Sequence, residues 1–126
     1  MTISSARSHL KKIEAIIRND KFLDVDSALR KIGVSGLTIE QVTGRGRTRI
    51  RTTIYARGVW KDEEEYVRHV KLEIITPDAD AEKIIDTIIG AASTGSTGDG
   101  KIFVSTIEKA IDIGSRETGE KAVVMH

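Results

Sequence analysis

A chain of 126 residues, 39% of them hydrophobic, can build one compact domain with a modest core and is too apolar to stay disordered. It contains no cysteine, which excludes disulfide frameworks, thiolate catalysis and cysteine–zinc sites together. Twenty lysines and arginines nearly balance 19 aspartates and glutamates, so the formal net charge of +1 gives no general pull toward nucleic acid or a membrane surface.

The opening "MTISSARSHLKK" is polar, has no apolar stretch of signal-peptide type, and reads as a frayed extension over residues 1–10. Unbroken apolar runs fall far short of the roughly 20 residues a spanning helix needs, so a cytoplasmic protein with no membrane insertion is expected. In "KKIEAIIR" (11–18), Ile13, Ala15 and Ile17 alternate with Lys12, Glu14 and Arg18, the period of a strand, with Ile16 on the second face. "DKFLDVDSALRKIG" then spaces Phe22, Val25, Leu29 and Ile32 as a helix, with Asp20 placed to cap its start and Gly33 to end it. "SGLTIEQV" (35–42) alternates again as a second strand, whereas residues 43–66 are highly charged and sustain neither period. From Val67, "VRHVKLEII" sets Val70, Leu72 and Ile74 against His69, Lys71 and Glu73, a third strand that Pro77 stops. "DADAEKIIDTIIGAAS" follows with Asp78 as cap and Ile84, Ile85, Ile88, Ile89 and Ala92 on one stripe. A glycine-rich loop leads to a fourth strand, "KIFVSTI" (101–107), and the tail has room for a short edge segment.

This β-α-β-β-α-β order predicts an α+β fold of ferredoxin-like type, two helices covering one face of a four-stranded antiparallel sheet. Extra apolar residues at Ile16, Ile75 and Phe103 predict that the other sheet face is buried against a second subunit.

The loop "TGSTGDGKIFV" (94–104) nearly spells a P-loop, since Gly95, Gly100 and Lys101 fit G-x-x-x-x-G-K. The context is wrong for one. A P-loop follows a strand and opens a helix, and a serine or threonine after its lysine holds magnesium; here a helix precedes, a strand follows, and Ile102 stands after Lys101. As a plain helix-to-strand turn, Gly95 would be the C-cap and Gly98 and Gly100 would supply positive φ. Three glycines, Asp99 and Lys101 exceed what such a turn requires, and exposed N–H groups beside a lysine can form an anion nest.

The same residues resemble the PII signal-transduction family, whose signature loop runs T-G-x-x-G-D-G-[KR]-I-F-V after the second helix. "KKIEAIIR", "SALRKIGVSGLTIEQVTGRGR" and "VKLEIITPD" resemble its first strand, its first helix through the entry of its long T-loop, and its third strand. The resemblance covers roughly residues 10 to 122. It implies a PII-like domain over 11–113, with a T-loop at about 44–67 and a glycine B-loop at 94–100, followed by a tail over 114–126. It further implies a homotrimer with adenine nucleotides (ATP or ADP, with AMP a third candidate) in the clefts between subunits. The adenine side would be formed by Gly36, Leu37, Thr38, Glu73, Ile74 and Ile75, with Ile16 a further nucleotide-binding residue. The phosphate side would be formed by Gly44, Gly46, Arg47, Gly98, Asp99, Gly100 and Lys101. The T-loop would dock on a target protein, typically an ammonium transporter or a nitrogen-assimilation enzyme.

Three departures qualify this picture. Where the family's "IRIRTGE" places two phosphate-binding arginines, "IDIGSRETGE" places Asp112 and Gly114, and an aspartate near a polyphosphate is repulsive. Thr48 stands for the glutamine that organises magnesium and 2-oxoglutarate, and His69 for the lysine that pairs with 2-oxoglutarate, so the two are candidate effector positions for an altered effector. The T-loop has no good counterpart of the modified tyrosine, Trp60 falling near it and Tyr55 and Tyr66 matching poorly, and uridylylation is not expected. Two other classes compete. An RNA-binding module could use Arg45, Arg47, Arg49 and Arg51 against phosphates, but only Phe103 is expected in a strand, against the paired aromatics that stack bases. An enzyme would have Asp99 as its one plausible base, a residue better read as the acceptor that organises its loop.

Overall fold

The computed structural model describes residues 9–44, 50–56, 59–65 and 67–123, with residues 44, 50–56, 59–65 and 67 described at the level of the backbone. Gly46, Arg47 and Thr48 of the expected site lie outside the described residues, as do Arg45, Arg49 and Tyr66.

Strand β1, Leu10–Arg18, buries Ile13, Ala15 and Ile17, the face its alternation predicts. A 3-10 turn, Asn19–Lys21, leads into helix α1, Phe22–Lys31. Asp20 is not a cap: it sits inside the turn and pairs with Arg18 at 3.3 Å, and α1 starts after Lys21 with no side-chain cap. The stop signal is read correctly. Gly33, at φ 92°, donates to the Arg30 carbonyl (3.0 Å) and Val34 donates to the Leu29 carbonyl (3.0 Å), the paired closing bonds of a Schellman motif.

Strand β2 is Thr38–Gly44, beginning three residues later than the alternation from Ser35 predicts. The aperiodic stretch expected over 43–66 instead contains a second sheet: β3, Ile50–Ala56, pairs antiparallel with β4, Val59–Glu65, in a register that sets Arg51 opposite Glu64 and Tyr55 opposite Trp60. Period-two reasoning misses this hairpin because the sequence of the stretch does not alternate apolar and polar residues.

Strand β5, Val67–Pro77, and helix α2, Asp78–Ala92, follow directly on one another. Asp78 is the first helical residue, not the cap; Pro77 holds the cap position and supplies no side-chain bond. The α2 stripe buries Ala81, Ile84, Ile88 and Ala92, but Ile89 is half exposed. After the glycine loop comes β6, Gly100–Ile107, and α3, Glu120–Val123, is a single C-terminal turn.

The four-stranded sheet has the order β2-β5-β1-β6, antiparallel throughout, and both helices lie on one face, so the ferredoxin-like expectation holds. Its core is Ile13, Ile17, Val25, Leu29, Leu72 and Ile88 with their neighbours. Each such side chain, taken fully out of water, contributes about 1.5–3 kcal/mol.

The opposite face carries Ile16, Ile75 and the exposed Phe103 side by side with charged residues. It carries an ionic mesh across three strands: Lys12 reaches Glu14 (3.7 Å) and Glu73 (3.5 Å), and Lys71 reaches Glu14 (3.7 Å) and Glu40 (3.5 Å). The cause is register, which places Glu14 opposite Glu73 and Glu40 opposite Lys71. Glu40, then Glu14, raise the Lys71 pKa above its ordinary value.

Candidate functional site

The expected site residues fall at two opposite edges of the sheet. The first edge is formed where β5 outruns β2. Pairing of the two strands stops at Thr38–Glu73, although β5 continues to Pro77. Among the described residues the β2-side backbone beyond Glu73 therefore has no strand partner, and it faces the segment after α1. Gly36, Ile74 and Ile75 line a cavity of about 400 Å³ here, and Leu37 packs beside it on the core. Ile74 is buried, so backbone is what it chiefly offers; Ile75 is partly exposed. Glu73 is held by Lys12, and Gly44 ends the same β2–β5 ladder opposite Val67, at the root of the long loop.

Four residues that the sequence reading did not single out complete this cavity: Asp80 and Lys83 from the first turns of α2, and Glu120 and Val123 from α3. A four-residue helix is too short to show a period, and Gly119 at φ 67° before it is the one sequence signal that the chain turns there.

The second edge is the glycine loop and the start of β6. Asp99 organises it. Its carboxylate accepts the Thr94 N–H (2.6 Å), the Thr94 hydroxyl and the Ser96 N–H (3.2 Å). Those bonds, the Thr94 side-chain bond first, hold its pKa below the ordinary carboxylate value. An aspartate so committed is a loop organiser rather than a proton acceptor in catalysis. The glycines divide the work differently from expectation: Ser93 is the C-cap of α2, Gly95 (φ 83°) and Gly100 (φ 126°) take positive φ, and Gly98 does not, giving its N–H instead to Ser96 Oγ (3.2 Å). Gly100 lies against β1. A Cβ there would sit 2.9 Å from the Ile16 carbonyl carbon and nearer still to its oxygen. Lys101 is exposed and opposite Ile16 in register, and both border an apolar groove of about 460 Å³ between α2 and β6.

The C-terminal segment between β6 and α3 is a tight turn closed by the Ile111–Thr118 bridge. Asp112 holds it: its N–H donates to the Glu117 carbonyl (2.8 Å), its carbonyl accepts the Arg116 N–H (2.8 Å), and its carboxylate accepts the Ser115 N–H (2.9 Å). Arg116 takes φ 65°, a left-handed conformation uncommon for arginine.

The two edges are three strand spacings apart, roughly 14 Å at the usual inter-strand distance. One chain thus holds Thr38 and Gly36 at one side and Lys101 and the glycine loop at the other, each facing outward.

A family model described as "Nitrogen regulatory protein P-II" matches residues 10–117. The chain belongs to the P-II family. The P-II protein of Rhodobacter capsulatus is 45% identical over 114 residues, covering 90% of this chain and the whole of the relative. Among solved structures, Arabidopsis thaliana PII bound to citrate superposes with a TM-score of 0.73 at 38% identity, covering 91% of this chain and 92% of that one. B. subtilis GlnK gives 0.72 at 33% identity, covering 91% and 99%. As a P-II protein the chain is a member of a signal-transducing, regulatory family rather than an enzyme family.

One further expectation changes. Tyr55 and Trp60 lie in strands as register partners, so Phe103 is not the lone strand aromatic; the four-stranded sheet itself still lacks the paired aromatics of an RNA-stacking surface. His69 is on the ionic face, opposite Arg18 and Val42. Among the described residues no helix is long and apolar enough to cross a membrane.

Proposed function

We propose that this P-II protein binds an adenine nucleotide between subunits of a homotrimer and regulates a target protein through its long loop. The single observation that supports this most is the separation of the two half-sites. The backbone edge at Gly36–Thr38 and Ile75 suits a flat base, and the glycine loop with Lys101 suits phosphates, yet sheet order holds them on opposite edges of one chain. A second chain must bring the missing half. Closed cyclic assembly repeats that junction without leaving an edge open, and the exposed Phe103 and Val104 on the outer strand β6 would be covered by it.

The route from ligand to loop runs along the β2–β5 ladder. Its one end, Thr38–Glu73, borders the base pocket and its other, Gly44–Val67, roots the loop that carries β3 and β4. Nucleotide occupancy selects among loop conformations, and the selected one docks on the target, an ammonium transporter or a nitrogen-assimilation enzyme in this reading. Gly46 and Arg47, beside the ladder's end in sequence, complete the phosphate side.

A second form of the reading rests on Asp112. A carboxylate stands where the family has an arginine, and it is used within its own turn. The loss of a cation from the cleft favours ADP or AMP over ATP, and with Thr48 and His69 it turns the protein toward an effector other than 2-oxoglutarate and toward another pathway. Calorimetric titration with ATP, ADP and AMP, with and without 2-oxoglutarate, tests both forms. The expected result is binding of at least one adenine nucleotide at one site per chain. No binding by any of them would refute nucleotide signalling by this protein.

A further inference from the structure

The hairpin of β3 and β4 is a separate two-stranded sheet, so among the described residues each of its strands is paired on one side only. A hairpin of two strands is marginally stable by itself in water, and a third strand is one way to complete it. Its two free edges are not equivalent. Strand β4 carries Asp62, Glu63, Glu64 and Glu65 in succession, and charge along an edge strand guards it against further pairing. Strand β3 reads IRTTIYA: isoleucine, threonine and tyrosine favour the extended state, Arg51 is its one charge, and it contains neither proline nor glycine. One edge is closed by charge and the other is left open.

The same strands state what the open edge can take. Arg51 and Lys61 stand against the four acids, so the paired strands are anionic although the whole chain has a net charge of +1. Register sets the acids toward the root, with Glu65 opposite Ile50, Glu64 opposite Arg51, Glu63 opposite Thr52 and Asp62 opposite Thr53. Toward the tip, Ile54, Tyr55 and Ala56 are opposite Lys61, Trp60 and Val59. A strand added to β3 lies two inter-strand spacings from β4, roughly 10 Å, which is comparable with the Debye length of about 8–10 Å. The acids of β4 therefore act on whatever pairs there. A second copy of the hairpin or a nucleic-acid backbone brings like charge and is repelled, whereas a cationic segment is attracted.

We infer that the free edge of β3 takes up an extended segment of the regulated protein as a third strand, one that alternates lysine or arginine with β-branched residues. This rests on the reading that the long loop meets a target, and it adds the manner of meeting. Main-chain pairing along Ile50–Ala56 supplies the affinity, and the acids of β4 supply the choice of partner.

The test titrates the full chain with a short peptide alternating lysine and valine, and separately with its glutamate–valine counterpart. Trp60 is the chain's one tryptophan and lies in β4, so its fluorescence reports on the hairpin. The expected result is a saturable change in Trp60 emission with the lysine peptide and none with the glutamate peptide. Hydrogen exchange should slow at alternate amides of β3, the pattern an added ladder imposes on one edge. Glu63→Gln combined with Glu64→Gln should weaken the lysine peptide by up to about fivefold for each charge removed. No saturable change, an equal response to both peptides, unaltered affinity in the double variant, or protection gained on β4 or β6 instead of β3 would each overturn the inference. Binding to membranes bearing the transporter, compared with a chain lacking residues 50–65, tests the loop reading separately. If the deletion abolishes that binding while the peptide arms fail, strand addition alone is overturned.

Discussion

Replacing Gly100 with alanine puts a methyl group where β6 runs closest to β1. The added Cβ would lie 2.9 Å from the Ile16 carbonyl carbon, 3.2 Å from Ile17 Cα, and nearer still to the Ile16 carbonyl oxygen. All three are backbone atoms of a central strand, so no side chain can swing away. The position also requires φ 126°, where an L-residue is strained whatever the space. The conformational penalty is about 1–3 kcal/mol, and forcing the strands apart adds about 1–3 kcal/mol. Set against a typical domain stability of about 5–15 kcal/mol, a combined loss of roughly 2–6 kcal/mol lowers Tm by on the order of 8–25 °C in a chain of this length. The assay is thermal and urea denaturation followed by circular dichroism, with Gly90→Ala as the control. Gly90 is on α2 with nothing within 4 Å of its would-be Cβ, so alanine there should stabilise by about 0.5–1 kcal/mol. A Gly100→Ala protein that melts within about 2 °C of the parent would refute the reasoning, because strain and overlap of this size cannot be absorbed for a fraction of a kcal/mol.

Leu72→Ala, at a fully buried position on a central strand, should cost about 2–5 kcal/mol in urea denaturation with little change in slope. Asp99→Asn removes the charged acceptor of the glycine loop, and hydrogen exchange at the Thr94 and Ser96 amides should accelerate by roughly tenfold while the core amides of β1 keep their protection. Since the Asp99 pKa is lowered, its contribution is present above the ordinary value of 3.8 and is lost as pH falls through the lower folded value; loop exchange extrapolated across that window should show the loss in the parent and not in Asp99→Asn. For Lys71 the sign is opposite. Its pKa is raised, so its contribution is complete below the ordinary 10.5 and is lost as pH climbs through the folded value; alkaline denaturation should begin earlier in Glu40→Gln, which removes the largest cause of the shift.

How much of this was legible beforehand depended on whether a residue's job shows in a local pattern. Ile13, Ala15 and Ile17, and Val70, Leu72 and Ile74, announced their buried faces because one side of β1 and β5 meets both helices, which enforces strict alternation. Gly33 was readable because a helix stop needs positive φ at one position. Asp20 and Asp78 misled because an acid near a helix start is equally at home within the first turn, where the macrodipole favours it without any capping bond. The mesh of Lys12, Glu14, Lys71, Glu73 and Glu40 could not be seen at all, since it exists only once three strands take their register. The same holds for the candidate sites. The glycine loop was visible as a motif, but Glu120 and Val123 reach the Gly36 cavity through a turn that no spacing encodes.

The central claim is that each nucleotide is held by two chains, and complementation between two variants tests it most directly. Lys101→Ala disables the glycine-loop side, and Gly36→Val blocks the base side where Gly36 lines the cavity. Each variant alone should show no calorimetric ADP binding at concentrations that saturate the parent. Unfolded together, refolded as a one-to-one mixture and titrated again, they should recover binding at about a quarter of the clefts, the fraction in which an intact base side meets an intact phosphate side by chance in a closed ring. If the mixture binds no more ADP than either variant alone, the site is not shared between chains and the account is wrong.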